Sequence, residues 1–311
     1  MAPKTALRHG TLAAVLATCL ASALTGCASA PAAAPGQRVV VAGTAIEVDA
    51  ALHDALPAAI RDAGTVRVAS DVPYAPFEMF VKEGQPDLTG LDYDLGQALG
   101  GRLGVRFAFS PQKFDGIVPA IQAGKYDVVM SAITDTKKRQ QVLDFVDYSV
   151  SGSGILVAKG NPEKIASLKD LCGKPVAVQV ATHQLDLLNA QQPACPAPIR
   201  IQTFPKDSDA QLALRSGKVA AEVLTKPAAG WTAKTADGGA AFESVEDAAA
   251  GGGYDATPNG IGVSKRLPQL TDAIQKALQG LIDDGTLKKI CATYGVESIA
   301  IPKATRNAGE A

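Results

Sequence analysis

Long apolar runs are missing from this chain beyond its first few dozen residues, so nothing after that point is long enough to span a bilayer as a helix. Clusters of Lys and Arg are missing too, and the formal net charge is −1, which argues against a nucleic-acid partner. The five cysteines include no Cys-x-x-Cys pair, so a zinc site is not expected, and nothing else in the sequence calls for a metal or cofactor. A His/Asp/Ser set or a paired-carboxylate constellation of the kind catalysis needs is also absent. No repeat of 20–50 residues is visible. What remains is ordinary globular composition, with 47% apolar and 20% charged residues.

The N-terminus carries a compartment signal. Lys4, Arg8 and His9 are followed by the apolar run Thr11 to Leu24, then by Leu24-Thr25-Gly26-Cys27. A basic start, a short apolar core and small residues are the marks of a secretory leader. The run of about 14 residues is short of the roughly 20 a spanning helix requires, so residues 1–26 read as a cleaved leader. Leu24-Thr25-Gly26-Cys27 resembles the lipoprotein processing box, in which the cysteine thiol is acylated and becomes the first residue. The alternative is ordinary cleavage at a neighbouring Ala-x-Ala site, with Cys27 incidental. Two acyl chains would hold a protein at a membrane surface. Residues 27–48, beginning Ala28-Ser29-Ala30-Pro31, have little to bury and read as a tether. With Cys19 in the leader and Cys27 lipidated, Cys172, Cys195 and Cys291 remain. Thiols outside the cytoplasm tend to pair, and Cys172 with Cys195 is the favoured pair because both flank one candidate βα segment; three separate thiols are the alternative. Cys291 falls in a helical pattern and is expected as a buried free thiol.

Residues 49–304 alternate strands and helices. Asp49 to Arg61 reads as a helix despite Pro57, Val66 to Ala69 as a strand, and Leu91 to Leu103 as a helix stopped at Gly104. Val105 to Phe109 is a strand, Phe114 to Ala123 a helix capped by Asp115, Tyr126 to Met130 a strand, and Lys137 to Val142 a helix. A second set follows. It has strands at 155–157, 176–178, 199–201 and 221–224, and helices at 168–171, 184–189 and 208–216. Gly251-Gly252-Gly253 marks either a loop or a crossing back. Leu270 to Asp284 is the last strong helix, its apolar pairs recurring every four residues. Such alternation gives parallel-type α/β lobes, whose ligands bind at the carboxyl ends of strands.

A string of motifs adds a specific signal: Asp71-Val72-Pro73-Tyr74-Ala75-Pro76-Phe77-Glu78, Leu88-Thr89-Gly90-Leu91-Asp92-Tyr93-Asp94, Phe114-Asp115-Gly116-Ile117 through Tyr126-Asp127, Thr134-Asp135-Thr136-Lys137-Lys138-Arg139, and Leu143-Asp144-Phe145-Val146. Together they resemble the family 3 bacterial extracellular solute-binding proteins, the amino-acid receptors of ABC importers, densely over residues 64–157 and more loosely through 165–230 and 259–296. The resemblance implies an α/β, two-lobed periplasmic-binding-protein-like fold (type II), with two lobes joined by a two-strand hinge. Lobe 1 would comprise 49–150 and 249–304, lobe 2 would comprise 151–248, and 305–311 would be a disordered tail. It implies a monomer that delivers its solute to an ABC permease.

The resemblance also implies roles. Arg139 matches the family's carboxylate-binding arginine, whose planar guanidinium grips a carboxylate in a way lysine cannot; the alternative is a solvated Lys137-Lys138-Arg139 face. Thr134 and the backbone of Ala132 would add donors. Tyr74, Phe77 and Phe114 match aromatics that sandwich the ligand, Phe77 being the one better suited to the core. Asp71 ends the first strand, where it would accept from a cationic or amide tip or else cap a turn. Gln179, Thr182 and His183 fall in the loop that closes onto the ligand. The departure is Thr225, where the family places an acid for the ligand's ammonium; a neutral hydroxyl cannot supply that charge-assisted bond. Lys226 next to it raises the alternative of an anionic or non-amino-acid solute. Less favoured alternatives on the same fold are a cyclohexadienyl-dehydratase-like enzyme and a ligand sensor.

Overall fold

The computed structural model describes residues 39–311 except Glu83. The leader and Cys27 lie outside the described residues. Residues 39–48 of the stretch expected as tether are ordered. β1 (Val39–Val41) and β2 (Thr44–Ile46) form a small antiparallel hairpin, because Val41 and Ile46 bury their side chains against the first core. Pro57 breaks the expected first helix into α1 (Ala50–Asp54) and α2 (Ala58–Ala63). It cannot donate a helical hydrogen bond, so it serves instead as the N-cap of α2.

β3 (Thr65–Ser70) opens lobe 1, followed by the short strands β4 (Met79–Phe80) and β5 (Leu88–Thr89), then α3 (Leu91–Leu103). β6 (Arg106–Pro111), α4 (Phe114–Gln122), β7 (Val128–Val129) and α5 (Lys137–Gln140) complete its first part. The N-cap of α4 is Lys113; Asp115, the expected cap, lies in the first turn, where a carboxylate favours the helix dipole. β8 (Leu143–Ala158) is one sixteen-residue strand of which only 155–157 was legible as a strand.

Lobe 2 runs β9 (Pro175–Gln179), α6 (His183–Gln191), β10 (Arg200–Phe204), α7 (Asp207–Arg215), β11 (Ala221–Thr225), α8 (Lys226–Thr235) and β12 (Phe242–Ser244). The Gly-rich stretch leads into a crossing back, β13 (Tyr254–Ser264). α9 (Pro268–Asp283), α10 (Thr286–Thr293) and β14 (Ala300–Arg306) end the fold. The expected disordered tail is therefore also corrected: β14 pairs with β8, and residues 307–311 are bonded to lobe 1.

The sheet order is β10-β9-β11-β8-β13-β7-β3-β6. β10, β9 and β11 are mutually parallel in lobe 2, and β6, β3 and β7 in lobe 1. β8 and β13 run antiparallel through both lobes and are the hinge strands. They cross closely at Gly152 and Gly253: a Cβ on Gly152 would lie 2.4 Å from the Gly253 carbonyl carbon, so only glycines allow this approach. Each lobe has its own apolar cores, built on α3, α9 and β3 in lobe 1 and on β9, β11 and α7 in lobe 2. Tyr74 and Trp231 cross between lobes. Tyr74 of lobe 1 packs against a lobe 2 core, and Trp231 of α8 packs against the lobe 1 core, its ring 6.3 Å from that of Tyr294.

A disulfide joins Cys172 and Cys195 (Cα–Cα 5.3 Å), tying the start of β9 to the end of α6. Cys291 is a buried free thiol whose pKa burial pushes up to about 12. Among the described residues, no helix is long and apolar enough to cross a membrane.

Candidate functional site: a pocket between the lobes

Strand ends supply the pocket. β3 ends at Asp71 and the turn holding Tyr74, and β7 leads into Ser131, Ala132 and Thr134; β9 leads into Gln179, Thr182 and His183, and β11 ends on Thr225. These residues, with Phe114 and Gln184, close around a cavity of about 20 Å³ between the lobes, so the cleft is nearly shut. Of the residues singled out in the sequence, two do not line it. Phe77 is fully buried in the lobe 1 core. Arg139 sits at the edge, its guanidinium 5.7 Å from the centre of the Phe114 ring.

Arg139 reaches both walls. Its Nη1 donates to the Thr134 carbonyl of lobe 1 (2.7 Å) and its Nη2 to the Ala181 carbonyl of lobe 2 (2.9 Å). Burial lowers its pKa to about 10, so it remains a cation at neutral pH, half-buried and hydrogen-bonded to carbonyls, with no carboxylate bond among the described residues. It therefore does not lie on a solvated surface with Lys137 and Lys138. Two further hydrogen-bonded ties cross the cleft. Gln179 Nε2 donates to Asp71 Oδ2 (2.6 Å), and the Thr225 N–H donates to the Tyr74 hydroxyl (3.0 Å), whose oxygen is also 2.9 Å from the Thr225 hydroxyl.

Ala132 differs from expectation. It takes a left-handed φ of 45°, and its N–H donates to Asp92 Oδ2 (2.7 Å) instead of facing a ligand. Thr182 caps α6, its hydroxyl accepting from Leu185 N–H and donating to the Gln179 carbonyl. His183 lines the pocket at the start of α6, with Nε2 2.9 Å from an oxygen of Asp255 on the hinge strand β13, close enough for an ion pair but not aligned as a hydrogen bond. Lys226, which suggested an anionic solute, lies outside the pocket and donates to the Gly251 carbonyl (2.9 Å).

Sequence reasoning missed Ser131 and Gln184. The Ser131 hydroxyl accepts from Asp71 N–H (2.9 Å) and donates to Glu78 (2.7 Å), and so holds Asp71 in place. Gln184 donates to Ser153 (3.3 Å). It also missed a set of carboxyl groups behind the Asp71 end. Glu78 is fully buried, and burial with Asp92 nearby holds its carboxyl well above the ordinary range. Asp207 is raised to about 6 by burial, and Glu222, beside it on β11, is raised further by burial and by Asp207. Asp71 itself is raised by burial, against the lowering effect of the Gln179 hydrogen bond. The signal for these groups was Glu222 in the middle of an otherwise apolar strand, Ala221-Glu222-Val223-Leu224. The pocket thus has a guanidinium at one edge and carboxyl groups clustered beyond the other.

Residues 66–297 match the model for bacterial extracellular solute-binding proteins, family 3. This chain belongs to that family. It is similar to the arginine-binding protein ArgT of Corynebacterium glutamicum, 30% identical over 257 residues covering 81% of each chain. Among solved structures it is similar to an ancestral arginine-binding protein bound to glutamine, with a TM-score of 0.66, 34% identity and coverage of 75% of this chain and 98% of that one. It is also similar to the ancestral amino acid-binding protein AncCDT-1, a precursor of cyclohexadienyl dehydratase, with a TM-score of 0.65, 34% identity and coverage of 76% and 97%. The fold is the two-lobed α/β fold of these solute-binding proteins, with β8 and β13 as its two hinge strands.

Proposed function

We propose that this solute-binding protein is the lipid-anchored, extracytoplasmic receptor of an ABC importer and closes as a monomer over one amino acid. The observation that carries the reading is a pocket lined from both lobes at the strand ends, with the half-buried guanidinium of Arg139 bonded to both walls at its edge. In the proposed complex the ligand's carboxylate replaces backbone carbonyls on Arg139. A carboxylate bond to a buried guanidinium is charge-assisted and is worth more than the neutral bonds it displaces. Thr134 adds a hydroxyl, and Phe114 and Tyr74 bracket the ligand's side chain.

Thr225 cannot receive an ammonium as an acid would, and its hydroxyl is engaged with Tyr74. The negative charge comes instead from Asp71, with Asp207 behind it, while burial and Asp207 push Glu222 toward its neutral form. That arrangement favours a ligand with a cationic group directed at Asp71. The arginine in the names of the relatives agrees with this preference. Cys27 is the proposed site of lipid attachment, and a permease in the same membrane the proposed recipient. Asp71 and His183, the cross-lobe pair a dehydratase-like reading would have to use, are engaged with Gln179 and beside Asp255, and nothing specific favours catalysis.

Ligand closes the hinge only in proportion to its extra contacts in the closed state. A thermal-shift panel of the twenty L-amino acids, ornithine and the corresponding amines tests the reading, since only a binder of the native state raises the melting temperature. A shift with L-arginine or another carboxylate-bearing cation, and none with the decarboxylated amine, is expected. A shift with amines alone would overturn the Arg139 assignment.

A further inference from the structure

α5, the helix that carries Arg139, has only four residues. So short a helix has no stability of its own and takes its position from what is bonded to it. Its N-cap, Thr136, accepts from the Arg139 N–H (3.2 Å). Two more bonds tie the helix to the last described residues. The Lys137 N–H donates to the Ala311 carbonyl (2.8 Å), and the Gln140 side chain donates to the Gly309 carbonyl (2.8 Å). Arg139 lies between these two anchored residues.

Asp135, fully buried just before α5, joins the same arrangement. Its Oδ2 accepts from Gly309 N–H (2.8 Å), its Oδ1 from Gln140 (2.9 Å), and its own N–H donates to the Pro258 carbonyl of β13 (2.9 Å). Gly309 passes so near Asp135 that a Cβ would fall 2.0 Å from the Asp135 carbonyl oxygen, a distance no side chain accommodates. Behind it, Asp147 accepts from Thr305 (2.9 Å) and from Ala308 N–H (3.3 Å), which fixes the approach of the segment to α5. None of residues 305–311 lines the pocket.

We propose that residues 305–311 form a strap that positions α5, and that through Asp135 and Gly309 it sets the guanidinium of Arg139 for ligand. The proposal rests on the reading that Arg139 holds the ligand. The strap makes no ligand contact; it acts by removing the freedom of the Thr134–Gln140 segment to move before binding, so its loss lowers affinity by leaving that ordering to the ligand.

The test compares the full chain with Gly309→Val and with a chain stopped after Asn307, which keeps the bonds of Asn307 to β8. Hydrogen exchange is read without ligand. The amides of Lys137 and Arg139 are expected to exchange at least about tenfold faster in both variants, with Val176–Val178 of lobe 2 unchanged. Calorimetry then uses whichever of L-arginine, L-lysine, L-histidine and L-glutamine shifts the melting temperature of the full chain most. Affinity is expected to fall about three- to tenfold in both variants. Unchanged exchange, or faster exchange with unchanged affinity, overturns the strap. Arg139→Ala, measured beside them, separates the two ideas: if it too leaves affinity unchanged, the reading of Arg139 has failed, and the strap's role in binding fails with it.

Discussion

The lobe 1 wall of the pocket is built from groups that are already bonded to one another: Asp71 to Ser131, Ser131 to Glu78, Ala132 to Asp92, and Asp92 to Tyr148 at 2.5 Å. The lobe 2 wall brings Gln179, Thr182, His183, Gln184 and Thr225, of which Gln179 and Thr225 spend hydrogen bonds on lobe 1 itself. One wall is fixed by a buried polar network, and the other is fixed in part by touching it. A ligand has to compete with the cross-cleft bonds on both walls, for Asp71, Tyr74 and Arg139 of lobe 1 as for Gln179, Ala181 and Thr225 of lobe 2. Buried networks of this kind stiffen what they hold, here with one oxygen, Glu78 Oε2, left unpartnered among the described residues.

The comparison can be broken most forcefully by weakening lobe 2 alone. Replacing Cys172 and Cys195 with serine removes a cross-link over 23 residues, worth about 3 kcal/mol by the chain-entropy model. Calorimetric unfolding is expected to show a lower first transition assigned to lobe 2, with lobe 1 amides retaining their protection. A uniform loss of protection would mean that the lobes do not differ in this way. Arg139→Ala comes next, with an expected loss in affinity of about ten- to a hundredfold, the size of a charged hydrogen bond. Calorimetric titration checks it, and an unchanged dissociation constant removes Arg139 from the site.

Tyr74→Phe cuts the Thr225 tie while keeping the ring, and it should shift the hinge toward the open form. Small-angle scattering of the ligand-free protein is expected to show a larger radius of gyration, and affinity should change by no more than about fivefold, as for one neutral hydrogen bond. An unchanged radius would mean the tie does not hold the cleft shut.

The stability of the fold is also expected to respond to pH. Asp147 is raised to about 7 by burial and by Asp135, and Asp92 and Asp207 to about 6 by burial. The folded chain therefore keeps protons that the unfolded chain releases near pH 4, so these groups favour the fold most at low pH and lose that contribution as pH rises to about 7. The melting temperature should fall between pH 5 and pH 8, and Asp147→Asn should flatten the upper part of that slope. A wild-type melting temperature that rises across this range would contradict the assignment.

Much of the fold was legible because apolar period and glycine stops are local: α3 from Leu91 to Leu103 ends where Gly104 takes a left-handed φ of 66°. β8 was not, since Asp144, Asp147 and three serines interrupt its apolar pattern; Asp144, Asp147, Ser151 and Ser153 find partners in β13, β14 and residues far away in sequence, while the buried Ser149 hydroxyl has none among the described residues. The same reason hid the hairpin at 39–46 and the segment 305–311, which are ordered only by partners in lobe 1. At the pocket, the motifs shared with the family made Asp71, Tyr74, Phe114, Gln179 and Thr225 readable. The bonding of the Ala132 amide to Asp92 was not readable, because it depends on a left-handed φ at an alanine. Nor was the carboxyl cluster of Asp207 and Glu222, which exists only once β11 and α7 are packed together.

Trp231 is the one tryptophan in the sequence, and it sits on α8 of lobe 2 with its ring against Tyr294 and the lobe 1 core. When the lobes part, that indole must move from apolar surroundings toward water. Its emission should shift to the red on opening and back to the blue on closure, with no second indole to obscure the signal. The protein therefore carries an intrinsic optical readout of its own hinge, by which closure can be timed in a stopped-flow mixer without attaching a dye.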